Sequence, residues 1–182
     1  MQKQQWVIVT ATIFLFSSFT ELNLALASEG FDNRYRMARS RLITPAQVNK
    51  LLSDTSADVR EALAQNRKLK PADLLKLASD KSEKVRIAVA TNLSTDDKTF
   101  LHLAVDKSES VKSVVARFEY VPAEVLSKLA KDKSANIRLE VARNLNTQAT
   151  TLKLLLKDSD PEVQAIAAQG LQRLANESNS SQ

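Results

Sequence analysis

The 182-residue chain predicts an all-α fold, a solenoid of five tandem 26-residue helical hairpins. Aspartates recur at Asp54, Asp80, Asp106, Asp132 and Asp158, an interval of 26 residues without insertion or deletion, and self-similarity at a fixed period of this kind marks repeat architectures. Apolar residues within each period follow helical i, i+3, i+4 spacing and nowhere the period-two alternation of a strand. Composition agrees, because two glycines, four prolines and 5% aromatics leave too little turn punctuation and too few strand formers for a sandwich or barrel.

Further columns keep the same register. Ser56, Ser82, Ser108, Ser134 and Asp160 follow the aspartates by two positions, and Val59, Val85, Val111, Ile137 and Val163 by five. Next come Arg60, Arg86, Lys112, Arg138 and Gln164. A leucine column (Leu51, Leu77, Leu103, Leu129, Leu155) and an alanine column (Ala64, Ala90, Ala116, Ala142, Ala168) are unbroken. Each unit reads as two short helices, A and B. In the second copy Leu74, Leu77 and Ala78 define the apolar face of helix A, with Pro71 suited to its first turn, where no N–H is needed. Ser82 is a candidate N-cap for helix B, whose Val85, Ala88, Val89 and Asn92 share one face. Thr44-Pro45-Ala46-Gln47 has the form of a capping box, and Asp96 occupies the matching slot of a later unit. Helices of this length are marginal alone, so the hairpins must stack.

The units are 45–70, 71–96, 97–122, 123–148 and 149–174. Before them, residues 28–44 read as a capping half-repeat, with Arg34, Met37 and Ala38 one period ahead of Arg60, Leu63 and Ala64. After them, residues 175–182 read as a polar, unstructured tail.

Residues 1–27 differ from the rest. Trp6 to Phe16 is almost wholly apolar, but Ser17, Ser18, Thr20, Glu21 and Asn23 interrupt it well short of the roughly 20 residues that span a bilayer. With Lys3 before it and Ala25-Leu26-Ala27 after it, the segment is expected to be a signal peptide cleaved after Ala27. The mature chain would begin at Ser28, in the periplasm or secreted, without a membrane span. An uncleaved amino-terminal anchor is the alternative.

The pattern D-x-S-x-x-V-R-x-x-[VL]-A-x-N, seen from Asp80 to Asn92, resembles HEAT-like repeats and the bacterial leucine-rich repeat variant family. The resemblance covers residues 45–174 and the half unit before them. It implies a right-handed α-solenoid that serves as a binding scaffold, and it specifies no ligand. In HEAT repeats an aspartate and an arginine six residues apart form a hydrogen-bonded ladder between units. The resemblance carries that role to Asp54 with Arg60, Asp80 with Arg86, Asp106 with Lys112 and Asp132 with Arg138, and leaves Asp158 without its partner because Gln164 replaces the cation. The cysteine cluster of some variant-family members is absent, since the chain has no cysteine.

No catalytic constellation is present. Absence of cysteine removes disulfides, thiolate metal sites and cysteine nucleophiles together. His102 is the single histidine and reads as a surface residue of helix A. No Gly-rich phosphate loop, Ser-His-Asp set or metal-ligand spacing occurs, so neither enzyme activity nor a cofactor or metal is expected. The recurrence of the Asp and Arg columns in every unit fits a stacking device, because a site needs one convergent cluster.

A partner surface is expected on helix B. Steps of about 100° per residue from buried Val85 put Ile87 and Thr91 on the far side. The same positions along the stack are Ser113 and Arg117, then Leu139 and Arg143, and their chemistry varies while the core columns stay fixed. The leading expectation is an extracytoplasmic protein-binding scaffold, with no nucleic acid partner. Two others stand beside it. One is an anionic-polymer or membrane-surface binder using Arg34, Arg36, Arg39 and Arg41 with Arg117 and Arg143, in keeping with the net charge of +5. The other is an accessory subunit or chaperone of an envelope enzyme. Phe118 to Pro122, where aromatics replace the usual Asn-Leu ending, is either a filled seam or a recognition spot.

Overall fold

A computed structural model describes residues 30–180. The expected leader, the Ser28 start and residues 181–182 lie outside the described residues. Those described form eleven helices and no strand. Helix α1 covers residues 30–39. The A helices are α2 (Pro45–Leu51), α4 (Pro71–Leu77), α6 (Asp97–Leu103), α8 (Ala123–Leu129) and α10 (Ala149–Leu155). The B helices are α3 (Ala57–Ala64), α5 (Glu83–Ala90), α7 (Glu109–Arg117), α9 (Ala135–Arg143) and α11 (Pro161–Ser180). Successive B helices contact one another from α3 to α11, and each hairpin packs A against B, which is the layering of a solenoid. All B-to-A turns therefore lie along one edge and all A-to-B turns along the other.

The caps explain where helices begin, with one change from the sequence reading. Thr44 and Gln47 make the reciprocal capping box, and Asp96 accepts the Thr99 N–H at 2.9 Å. Ser82, the candidate cap of α5, makes no side-chain cap bond, and neither does Ser134. Ser56 and Ser108 do cap their helices, and in every unit the ladder aspartate binds the N-cap residue itself: Asp54, Asp80, Asp106, Asp132 and Asp158 each accept the backbone N–H two positions on, at 2.8 to 2.9 Å. The carboxylate acceptor makes this bond charge-assisted, and it lies near the positive end of the helix dipole.

The leucine column is 0 to 2% exposed and the Val/Ile column 0 to 1%, so the core runs the length of the stack. Burying each such side chain stabilises by about 1.5–3 kcal/mol, and this packing makes helices of seven to nine residues viable. Ala64, Ala90, Ala116 and Ala142 are buried but Ala168 is exposed, because among the described residues no further helix packs over that face of α11.

Two polar ladders tie the units together. Arg60 donates Nε and Nη2 to the Asp80 carboxylate at 2.6 and 2.9 Å and Nη1 to the backbone carbonyl of Asp54. Arg86 does the same to Asp106 and the Asp80 carbonyl, and Arg138 to Asp158 and the Asp132 carbonyl. Each ion pair therefore joins a cation to the aspartate of the next unit, 20 residues on, while the aspartate six residues back offers only its main chain. This corrects the expected pairing and also the orphaning of Asp158, which Arg138 holds while Gln164 donates to its carbonyl. Lys112 reaches Asp132 by a single bond. At the other end Arg34 of α1 pairs with Asp54 at 2.7 Å.

The second ladder is made of asparagines. Asn66, Asn92 and Asn144, expected simply to end helix B, are buried. Each donates its amide to two carbonyls at the end of the preceding B helix. Asn66 reaches Ala38 and Ser40, Asn92 reaches Ala64 and Asn66, and Asn144 reaches Ala116 and Phe118. Carbonyls left open at a helix C-terminus are thereby satisfied across the seam. Gly170 holds the corresponding place in the last unit, where an added Cβ would meet Leu152 Cδ1 at 3.0 Å. No asparagine turn ends α11, which continues for 20 residues to Ser180. The expected unstructured tail is thus helical over 175–180, supported by the Arg173–Glu177 ion pair one turn apart.

Candidate protein-binding face

Of the six expected contact residues, Thr91, Arg117 and Arg143 are exposed, whereas Ile87, Ser113 and Leu139 are half-buried. Ile87 and Leu139 pack against the core, so they are not the free apolar side chains that a single-helix projection places in water. The projection treats each helix alone. In the stack, the flank of one B helix borders the next, and these positions fall into the groove between them.

In units three and four the groove opens into a shallow depression of about 440 Å³ between α7 and α9. Ser113, Leu139 and Arg143 line it with Glu109, Asn136 and Glu140. Arg143 is turned toward Glu162 of the next unit at 3.0 Å and lies 3.9 Å from Glu140. Its charge is therefore shared within the face. Thr91 bonds back to the Ala88 carbonyl at 3.2 Å, and Arg117 makes no ion pair among the described residues. In the first two units Lys84 bridges Asp58 and Glu61, so its charge is committed within the early B-helix face.

The ladder residues form no reactive centre. Burial pushes the Asp80, Asp106 and Asp132 carboxyls up, but bonds from Arg60, Arg86 and Lys112 and from the following backbone N–H outweigh it, holding all three below the ordinary carboxylate range. The bond from Arg138 lowers Asp158 likewise. The bonded carboxylates in turn raise Arg60, Arg86 and Arg138. Such pairs are fixed charges, unsuited to proton transfer near neutral pH. Among the described residues no group of three or more His, Asp or Glu side chains could hold a metal ion. His102 is exposed and shares a hydrogen bond with Ser79.

The third unit departs from the others. Phe118 stands where an asparagine would extend the second ladder, so no side-chain amide reaches the Ala90 and Asn92 carbonyls. Its half-buried ring lies 5.8 Å from Phe100 and 5.7 Å from Tyr120. Tyr120 itself is 62% exposed. One aromatic fills the seam and the other stands in solvent.

Of the cations expected to form a basic surface, Arg39 and Arg41 are brought together and the others are not. Arg34 is committed to Asp54 and Arg143 to Glu162, while Arg36, Arg39 and Arg41 remain exposed at the amino end. Arg67 and Lys68, which the sequence reading did not single out, join Arg39 and Arg41 around a depression of about 550 Å³. Their exposed position in the turn after α3 was the available signal.

Fold and face together define the class, an all-helical tandem-repeat protein whose units are joined by polar ladders. Comparison with known proteins finds no matching family model and no matching curated sequence. No helix among the described residues is long and apolar enough to cross a membrane.

Proposed function

We propose that the protein is an extracytoplasmic binding scaffold of the HEAT-like kind, a right-handed solenoid that engages a protein partner through the B-helix face of units three and four. The observation that carries this reading is the depression between α7 and α9, which gathers Ser113, Leu139 and Arg143, residues of two different units, into one concave patch. Concavity, a half-buried leucine and an arginine at its rim are the ingredients of an interaction hot spot, and the core columns beneath hold them rigidly. The role is that of an adaptor or assembly factor without chemistry of its own.

A photo-crosslinking residue at Ser113 tests this in envelope extracts, with one at exposed Lys153 on helix A as control. Capture of a defined partner from position 113 alone is the expected result. The double substitution Leu139→Ser, Arg143→Glu should then weaken binding of that partner at least tenfold, about 1.4 kcal/mol or more, with the helical signal unchanged. Equal capture from both positions, or unaltered affinity in the folded variant, overturns the reading.

A further inference from the structure

The edge formed by the B-to-A turns carries a pattern that the B-helix face does not need. Turn tips favour small and polar residues, and isolated exposed apolar side chains are ordinary. Here, however, four of the seven exposed large hydrophobics among the described residues share this one edge: Leu42 at 88%, Leu93 at 54%, Tyr120 at 62% and Leu145 at 70%. They stand at the tips of four different turns. With neighbouring helices about 8–10 Å apart, the row extends over roughly 30–40 Å.

The same edge is charged at its amino-terminal end. Arg41, Arg67 and Lys68 are exposed tip residues, and with Arg39 they surround the depression of about 550 Å³ described above, which no carboxylate lines. None of the four makes an ion pair among the described residues. Glu119 is the single acidic residue at a tip, and Asp96, engaged in capping α6, is the other carboxylate of these turns. The five ladder aspartates are no counterweight, because each is neutralised inside the seams by its own cation.

We infer that this edge docks on an anionic phospholipid surface. A lipid phosphate would sit among Arg39, Arg41, Arg67 and Lys68, and the Leu42, Leu93, Tyr120 and Leu145 tips would enter the interfacial layer. A line of protruding apolar tips has no shape complement in a convex protein partner, but it matches a flat interface in which leucine and tyrosine partition readily and cations meet phosphate. Neither element suffices alone, since the cations give salt-sensitive attraction and the apolar tips supply depth. The inference is independent of the B-helix face, which points elsewhere.

The absence of cysteine makes the test direct in the full chain. Single cysteines replace Ser94 and Asn146, at tips of this edge, and Lys107, exposed at the opposite edge. Each carries an environment-sensitive fluorophore. On vesicles of phosphatidylcholine with 30% phosphatidylglycerol at low salt, the labels at 94 and 146 should shift to the blue and become shielded from aqueous iodide while that at 107 does not. Because the readout compares two edges of one molecule, membrane attachment by residues 1–27 cannot imitate it. Arg67→Glu, Lys68→Glu and, separately, Leu93→Asn, Leu145→Asn should each reduce shielding at 146 at least tenfold on a lipid titration, with thermal unfolding unchanged. Equal shielding at both edges, shielding on phosphatidylcholine alone, or the same response to soluble polyglutamate would overturn the inference, the last by favouring an acidic protein.

Discussion

Replacing Asp106 by alanine removes one rung of the charged ladder, and the geometry sets what that should cost. Asp106 accepts Arg86 Nε and Nη2 at 2.6 and 3.0 Å and the Ser108 N–H at 2.8 Å, and the two paired side chains are only 5% and 7% exposed. Without the carboxylate, Arg86 keeps only main-chain acceptors, the carbonyls of Asp80 at 2.8 Å and Lys81 at 3.4 Å. Breaking a fully buried pair costs about 3–5 kcal/mol and losing the acceptor of the Ser108 N–H about 1 kcal/mol. Asp106 belongs to a turn at the edge of the stack, where water can re-solvate the freed guanidinium, so the expected loss is about 2–3 kcal/mol. Urea unfolding followed by far-ultraviolet circular dichroism measures it. The damage falls on the junction between α5 and α7, and in a quasi-one-dimensional array that should also broaden the transition or split it in two. The Arg86→Ala, Asp106→Ala cycle should give a coupling of at least about 1.5 kcal/mol. An unchanged midpoint in the single variant, or a coupling near zero, would mean that the aspartates are solvated and that their recurrence has no structural cause.

The remaining expectations follow from the same seams. Lys112→Arg restores a second bond to Asp132 and one to the Asp106 carbonyl, so it should raise stability by about 1 kcal/mol, read as a higher urea midpoint. Asn144→Ala strands the Ala116 and Phe118 carbonyls and frees the Asn146 N–H, so it should lower stability by about 1–3 kcal/mol and speed amide exchange at Asn146. The carboxyls of Asp80, Asp106, Asp132 and Asp158 lie below their unfolded values, so their contribution is fully present above about pH 4. It is lost as pH falls through the depressed folded values. Urea midpoints should accordingly be level from neutrality to about pH 5 and fall below pH 4, and a fall completed above pH 5 would contradict the ladder.

The recurrence of Asp80, Val85 and Arg86 in the sequence was enough to place the helices, the core columns and the ladder residues. It could not say which aspartate each arginine meets. In a chain with a 26-residue period, an offset of six back and an offset of 20 forward relate the same two columns, so only three-dimensional stacking separates them. The asparagine ladder was hidden for a related reason, because a residue suited to a helix end gives no sign that its amide crosses to the preceding unit. Ile87 and Leu139 were misplaced because a helical wheel has no neighbours. The basic depression at the amino end joins Arg39 and Arg41 to Arg67 and Lys68, residues about one period apart that only packing brings together.

Both ladders face the same way along the chain. Every ladder aspartate is completed by a cation from the preceding unit or from α1, and Asn66, Asn92 and Asn144 all donate to carbonyls already laid down before them. A unit emerging during synthesis thus finds partners in place for its aspartate and asparagine, while its own ladder cation waits for the aspartate of the unit that follows. A fragment starting within the array presents an aspartate and an asparagine with nothing to meet, and one ending within it presents a cation and open carbonyls. The last unit also closes the series cleanly, since Gln164 offers no charge forward. The seams therefore have a direction, so that removing units from the carboxyl end and from the amino end are different experiments with different residues left exposed.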